Sequence, residues 1–282
     1  MTSQLHDVPA EVAEVDEIHA SEAPDELALP RGYQLPPGVR LITTNAGLFV
    51  TPLIVIVGSL LLYSYVQGAD KIFQDERALD WDANLRPQLE QHLSLTLWST
   101  VFTIVMAVPL GILLTRPQYK RAGSPILAVA TSGQALPAFG LLVLAFAWLG
   151  RGPWTTIWAL SLFTLLPVLR NTMVGLEQVD KSVIEAGRGM GLTKRQALRQ
   201  IELPLAIPVI LAGVRTALVI TVGMAALAYL IGGGGLGATI SAGLKLSRDL
   251  VLITGAVMTA LVALTVDWIA ALIEKTLRPK GL

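Results

Sequence analysis

Six stretches of this chain stay apolar over lengths comparable to the hydrocarbon core of a bilayer: near residues 43–66, 92–115, 124–149, 153–171, 205–231 and 250–276. Crossing such a core takes about 20 residues of helix. A spanning segment has no water to bond its backbone, so each must satisfy its own N–H and C=O groups, which helices do. The pattern predicts an all-α polytopic membrane protein with about six transmembrane helices. The fourth stretch is short. The third is interrupted by Ser132, Gly133, Gln134 and Pro137, and reads either as a kinked helix or as two shorter pieces.

Composition agrees and excludes other classes. Of 282 residues 53% are hydrophobic and only 15% charged, with a mean hydropathy of +0.60, far from a soluble domain. The absence of cysteine excludes disulfides, thiolate metal sites and cysteine nucleophiles. His6, His19 and His92 are scattered, so a histidine metal cluster is not expected. Nor is any catalytic residue, cofactor or nucleic-acid partner expected of this chain.

Net charge is zero, so the placement of charge carries the information. With the N-terminus inside, the inner segments hold Arg31, Arg40, Arg116, Lys120, Arg121, Arg170, Lys181, Arg188, Lys194, Arg195, Arg199, Lys275, Arg278 and Lys280. The outer loops hold Lys71, Arg77, Arg86, Arg151, Lys245 and Arg248. Basic loops stay on the cytoplasmic side. Both termini and the segment 172–204 are therefore expected in the cytoplasm. Residues 1–40 read as an acidic, disordered cytoplasmic tail, whose first 30 residues carry acidic side chains and no Lys or Arg. Residues 41–282 form the transmembrane domain. The longest outer loop, 67–91, is too short to be a binding domain.

The cytoplasmic loop 180–204 has its own punctuation. Asp180 can cap a first short helix and Gly191 can end it in the left-handed conformation. Thr193 with Gln196 makes a capping box for a second helix, and Pro204 disfavours helix at Leu203. Read from its residues alone, this basic loop could lie on anionic lipid or dock in a groove of a soluble partner. The small residues Ala186, Gly187, Gly189 and Gly191 suit close approach of another backbone.

Glu185, Ala186 and Gly187, then Gly191, then nine residues, then Ile201, Glu202, Leu203 and Pro204 resemble the EAA loop of ABC importer permeases, patterned EAAxxxG, nine residues, IxLP. Gly187 departs from the pattern's Ala but stays small. SGQALP at 132–137, LLPVLRNTMVGL at 165–176, LPLAIPVILAGVRTAL at 203–218 and IGGGGLG at 231–237 are similar to permeases of the osmoprotectant group, importers of glycine betaine, choline, carnitine and related compounds. The resemblance covers residues 88–276. It implies a type I ABC importer permease fold and a loop that seats as a pair of coupling helices on an ATPase subunit, with Glu185, Ala186, Gly187, Gly191, Ile201, Leu203 and Pro204 as its motif positions. It also implies a second permease chain, ABC ATPase subunits, an extracytoplasmic substrate-binding protein and a bacterial plasma membrane. No GxxxxGK[ST] phosphate loop occurs, so ATP hydrolysis falls to another chain.

Other residues stand out within the spans. Ser132, Gln134 and Pro137 are candidates for the translocation path, because a polar break is tolerated where it faces protein or a water-filled cavity; a packing kink is the equal alternative. Trp148, Trp154 and Trp158 fit interfacial anchoring, with a quaternary-ammonium cage as the sharper alternative. Gly232 to Gly235 read as a tight outer turn. Arg215 and Asp267 are the charges deepest in the spans, at similar depth, and are expected to pair because either alone in lipid is costly. The function expected is transmembrane passage of an osmoprotectant by alternating access. A permease for another small solute such as an amino acid, and a non-transporting membrane scaffold, are the rivals.

Overall fold

The computed structural model describes residues 37–277, with side chains described from 48 onward. The acidic tail, Arg31, Arg278, Lys280 and the side chain of Arg40 lie outside the described residues. The contacts divide at Ala46/Gly47, and the packing below belongs to the unit from Gly47 onward.

Every regular element among the described residues is helical. In order the α-helices are α1 (Pro37–Gly68), α2 (Phe73–Ala78), α3 (Arg86–Leu114), α4 (Lys120–Ala135), α5 (Ala138–Leu149) and α6 (Pro153–Phe163). Then come α7 (Leu165–Glu177), α8 (Lys181–Gly189), α9 (Lys194–Ala197), α10 (Leu203–Ala225), α11 (Gly237–Lys245) and α12 (Asp249–Leu277). Five helical runs are long and apolar enough to cross a membrane, and α4 with α5 would make a sixth. That pair bends by 99°. The bend has a local cause: Leu136, forced out of the helical region by the following proline, and Pro137 itself both adopt extended ψ, 136° and 133°.

The second and fourth spans run longer than the sequence predicts. α3 starts at Arg86, with Pro87 in its first turn, directly from a π-helical turn at Trp81–Leu85. The fourth span continues through α7 to Glu177, with a break at Thr164. Pro167 lacks an N–H and so leaves the Phe163 carbonyl without its helical partner. The Gln134 amide donates to that oxygen at 3.2 Å. The same repair recurs at α1: Pro52 frees the carbonyl of Leu48, and the Trp268 indole N–H of α12 donates to it at 2.9 Å.

The centre of the bundle is α3, α7 and α10. Ala107, Leu114, Val168, Leu169, Met173 and Ala217 pack as one buried cluster; Leu95, Leu142, Leu160, Met224 and Ala228 form another toward the opposite end. Association of helices in lipid relies on close fit and small residues. A Cβ on Gly213 would lie 2.6 Å from Asn171 Cβ, and one on Gly111 2.7 Å from Thr172 Cγ2, so both positions hold neighbouring helices at contact. Hydroxyl groups add specific links between α3 and the fourth span. Ser161 Oγ donates to the Ser99 carbonyl at 3.0 Å, and the Thr103 and Thr164 hydroxyls lie 3.0 Å apart. By contrast α1 exposes Phe49, Leu53, Leu60 and Leu61, an apolar surface suited to lipid.

At the end of the bundle far from the 180–204 loop, Gly232, Gly234 and Gly235 take φ of 82°, 81° and 89°, the tight turn that the glycine run predicts. Gln91 Oε1 accepts from Gly235 N at 3.1 Å, and Gln88 Oε1 accepts from the Thr239 hydroxyl at 2.6 Å, stitching the turn to α3. Nearby, Arg248 grips both carboxylate oxygens of the fully buried Asp75 on α2.

Candidate functional site

The loop 180–204 folds by local rules into two short capped helices. Asp180 Oδ1 accepts from Ser182 N at 2.8 Å and starts α8. That backbone N–H also holds the Asp180 carboxyl below its usual value. At the other end Gly191, at φ 96°, permits a Schellman closure: Gly191 N donates to the Arg188 carbonyl at 3.0 Å and Leu192 N to the Gly187 carbonyl at 3.2 Å. Thr193 and Gln196 form the capping box of α9, with Thr193 N donating to Gln196 Oε1 at 2.8 Å.

Pro204 does not reset the chain, contrary to expectation. Leu203 is helical, at φ −63° and ψ −49°, and α9 passes through a π turn at Leu198–Glu202 straight into α10. The wider turn is closed by the bond from Leu203 N to the Leu198 carbonyl. It relieves the clash that a proline ring makes with the carbonyl four residues back. The run Lys194–Ile231 is 38 residues long. At ~1.5 Å per residue it is far longer than a ~30 Å core, so it exceeds what a crossing requires.

The motif residues gather in this loop in two groups. Glu185, Ala186 and Gly191 are exposed, as are Lys181, Arg188, Lys194, Arg195 and Arg199. Gly187, by contrast, is buried: a Cβ there would lie 2.3 Å from Ile201 Cδ1, so α8 packs on the π turn through the space that its glycine leaves. Leu203 and Pro204 are half-buried at the start of α10. Two residues that the motif does not single out complete the surface and its support. Met190, 81% exposed, places an apolar side chain at the tip beside the basic residues. Glu202, in the variable position of IxLP, is buried and bonded to Arg116. Exposed apolar and basic groups thus stand together on these short capped helices.

Arg215 and Asp267 meet. Arg215 Nε lies 2.5 Å and Nη2 2.7 Å from the two carboxylate oxygens of Asp267, joining α10 to α12. Glu274, two turns along α12, stands 3.8 Å from Arg215 Nη1, and the group borders a cavity of about 500 Å³ with Ala212, Thr216 and Val219. The path candidates are placed differently. Ser132 Oγ bonds the Ala128 carbonyl of its own helix, Gln134 repairs the Phe163 break, and Pro137 makes the 99° bend, whose crook holds an apolar cavity of about 420 Å³. Trp154 and Trp158 both pack on Phe102, with ring centroids at 6.5 and 5.3 Å, while Trp148 is 87% exposed and shares no ring contact with them.

Five to six long apolar helices packed through small residues, with one basic loop between two of them, define a multi-pass membrane protein. The match to binding-protein-dependent transport system inner membrane components extends over residues 107–279. The chain belongs to that family. It is 40% identical over 192 residues to the glycine betaine/carnitine/choline transport system permease protein OpuCB of Bacillus subtilis, covering 68% of this chain and 88% of that protein. It is 39% identical over 197 residues to the osmoprotectant import permease protein OsmW of Salmonella typhimurium, covering 68% of this chain and 91% of that protein. Among solved structures, a chain of the inward-facing MetNI methionine ABC transporter superposes with a TM-score of 0.60 at 24% identity, covering 69% of this chain and 96% of that one. At that identity the likeness speaks for the fold, an ABC importer permease fold, and leaves the solute open.

Proposed function

We propose that this chain is the membrane-spanning subunit of an ATP-driven importer that takes up an osmoprotectant, a quaternary amine such as glycine betaine, choline or carnitine. The observation that carries the solute class is the identity of about 40% over nearly the whole length of permeases named for those compounds. The mechanism is alternating access. A binding protein delivers solute at the glycine-turn end, the ATPase subunits close on ATP, and the 180–204 loop passes their motion to the spans. The exposed Glu185, Ala186, Gly191 and Met190 form the ATPase contact, and the buried Gly187–Ile201 packing keeps it rigid. Two permease chains, alike or closely related, seat on two ATPase subunits. The bacterial relatives support a bacterial plasma membrane, and the distribution of basic residues favours both termini in the cytoplasm with the 1–40 segment as a tail.

Growth at high salt tests the solute. Expressed with its ATPase and binding protein in cells without their own uptake systems, the chain restores growth on added glycine betaine. Restoration by methionine uptake in an auxotroph, with no effect of betaine at high salt, would assign it instead to amino-acid import. Failure to retain any ATPase would leave the scaffold reading.

A further inference from the structure

Glu202 is 7% exposed and sits where the loop becomes α10. A carboxylate in that position needs a partner, and the partner comes from 86 residues earlier: Arg116 Nη2 donates to Glu202 Oε2 at 2.7 Å. Arg116 is itself fixed to the last turn of α3. Its Nε donates to the Ile112 carbonyl at 3.2 Å and its Nη2 to the Thr115 hydroxyl at 3.1 Å, at the negative end of the helix dipole. On the other side Ile201, the neighbour of Glu202, is the residue that fills the space at Gly187 of α8. A continuous line of contacts therefore runs from α8 through Ile201 and Glu202 to Arg116 and the end of α3.

We propose that the Arg116–Glu202 pair transmits displacement of the 180–204 loop to α3, acting as a positioning element for transport. The inference rests on the reading of that loop as the ATPase contact. The loop is covalently continuous with α10 through the run Lys194–Ile231, so α10 must follow it. α3 ends at Leu114, is followed in sequence by α4, and has no such continuity with the loop. A short, part-buried, charge-assisted bond makes the loop grip α3 in one geometry instead of sliding past it. Loop, α10 and α3 then move as a unit, and α7 is carried between them by the close contacts at Gly111 and Gly213. Contiguity alone does not establish coupling; a ratio of transport to hydrolysis does.

The test uses the assembled complex of this chain with its ATPase and binding protein in proteoliposomes, with radiolabelled glycine betaine as the probe. The quantity read is solute taken up per ATP hydrolysed, for Glu202→Gln and for the neutral pair R116Q/E202Q, which leaves no buried charge unpaired. Both variants should assemble and hydrolyse ATP, with the ratio lowered about tenfold, the size of a typical coupling between sites. An unchanged ratio overturns the inference. Loss of the assembled complex in the neutral pair also overturns it, since the ion pair would then serve assembly alone. Glu185→Arg separates the two layers. If that variant still holds the ATPase and still transports, the loop reading fails and the pair's role with it. If it releases the ATPase while the Glu202 variants keep the normal ratio, the pair's role alone is rejected.

Discussion

Replacing Asp267 by Asn strips Arg215 of both carboxylate bonds that join α10 to α12. Breaking one side of a fully buried pair costs about 3–5 kcal/mol, and breaking an exposed pair about 0–1 kcal/mol. The side chains of Arg215 and Asp267 are 39% and 27% exposed, between those limits, and Glu274 at 3.8 Å offers Arg215 a second carboxylate. A loss of about 2 kcal/mol is therefore expected for Asp267→Asn. Arg215→Gln should cost more, about 3 kcal/mol, because Asp267 and Glu274 both lose their cation. The double neutral variant should also cost about 3 kcal/mol, short of the sum of the singles by about 2 kcal/mol, the coupling of the pair. Unfolding of the purified chain in mixed micelles, followed by far-ultraviolet circular dichroism against denaturing detergent, measures all three. Charge reversal of both residues together should recover part of the stability that each reversal loses. Additive singles within a few tenths of a kcal/mol, or no recovery on double reversal, would show that Arg215 reaches water and that the bond to Asp267 holds nothing together.

Other outcomes follow from the geometry. Arg248, and then the Ile72 N–H, hold the Asp75 carboxyl below its ordinary value of 3.8 despite burial. Its stabilising contribution is thus present above that value and lost as pH falls through the lower, folded-state pKa. The thermal midpoint should drop more between pH 7 and pH 3 in the unmodified chain than in Asp75→Asn, and equal drops would contradict the argument. Trp268→Phe should destabilise the docking of α1 by about 1 kcal/mol, and less in a Pro52→Ala background, where the helix bonds the Leu48 carbonyl itself. Identical losses in the two backgrounds would refute the carbonyl repair. Gly191→Ala, forced to φ 96°, should cost about 1 kcal/mol and speed hydrogen exchange at the end of α8. Unchanged exchange there would mean that the Schellman closure does not hold the helix end.

What was legible in the sequence was local. Apolar length gave the spans, and the caps at Asp180, Thr193 and Gln196 with the left-handed Gly191 needed only neighbouring residues. The pairing of Arg215 with Asp267 could be inferred because two charges at matching depth in lipid leave few options. What the sequence hid depends on distance or on carbonyls. Nothing near Glu202 announces Arg116, and nothing near Gln134 announces the oxygen that Pro167 exposes on Phe163. Pro204 misled because the rule against helix before proline assumes a regular turn behind it, and the π turn at Leu198–Glu202 removes that assumption. Glu274 was missed for a related reason: its relevance appears only once Arg215 is seen to extend along α12.

The central claim is that this chain moves a quaternary amine only when an ATPase works through its loop. Uptake of radiolabelled glycine betaine into proteoliposomes containing this chain, its ATPase and its binding protein tests it most directly. The expected result is uptake that requires both ATP and the binding protein and disappears in Glu185→Arg together with ATPase binding. Betaine uptake that proceeds without ATP, or that survives Glu185→Arg with the ATPase still attached, would contradict the account.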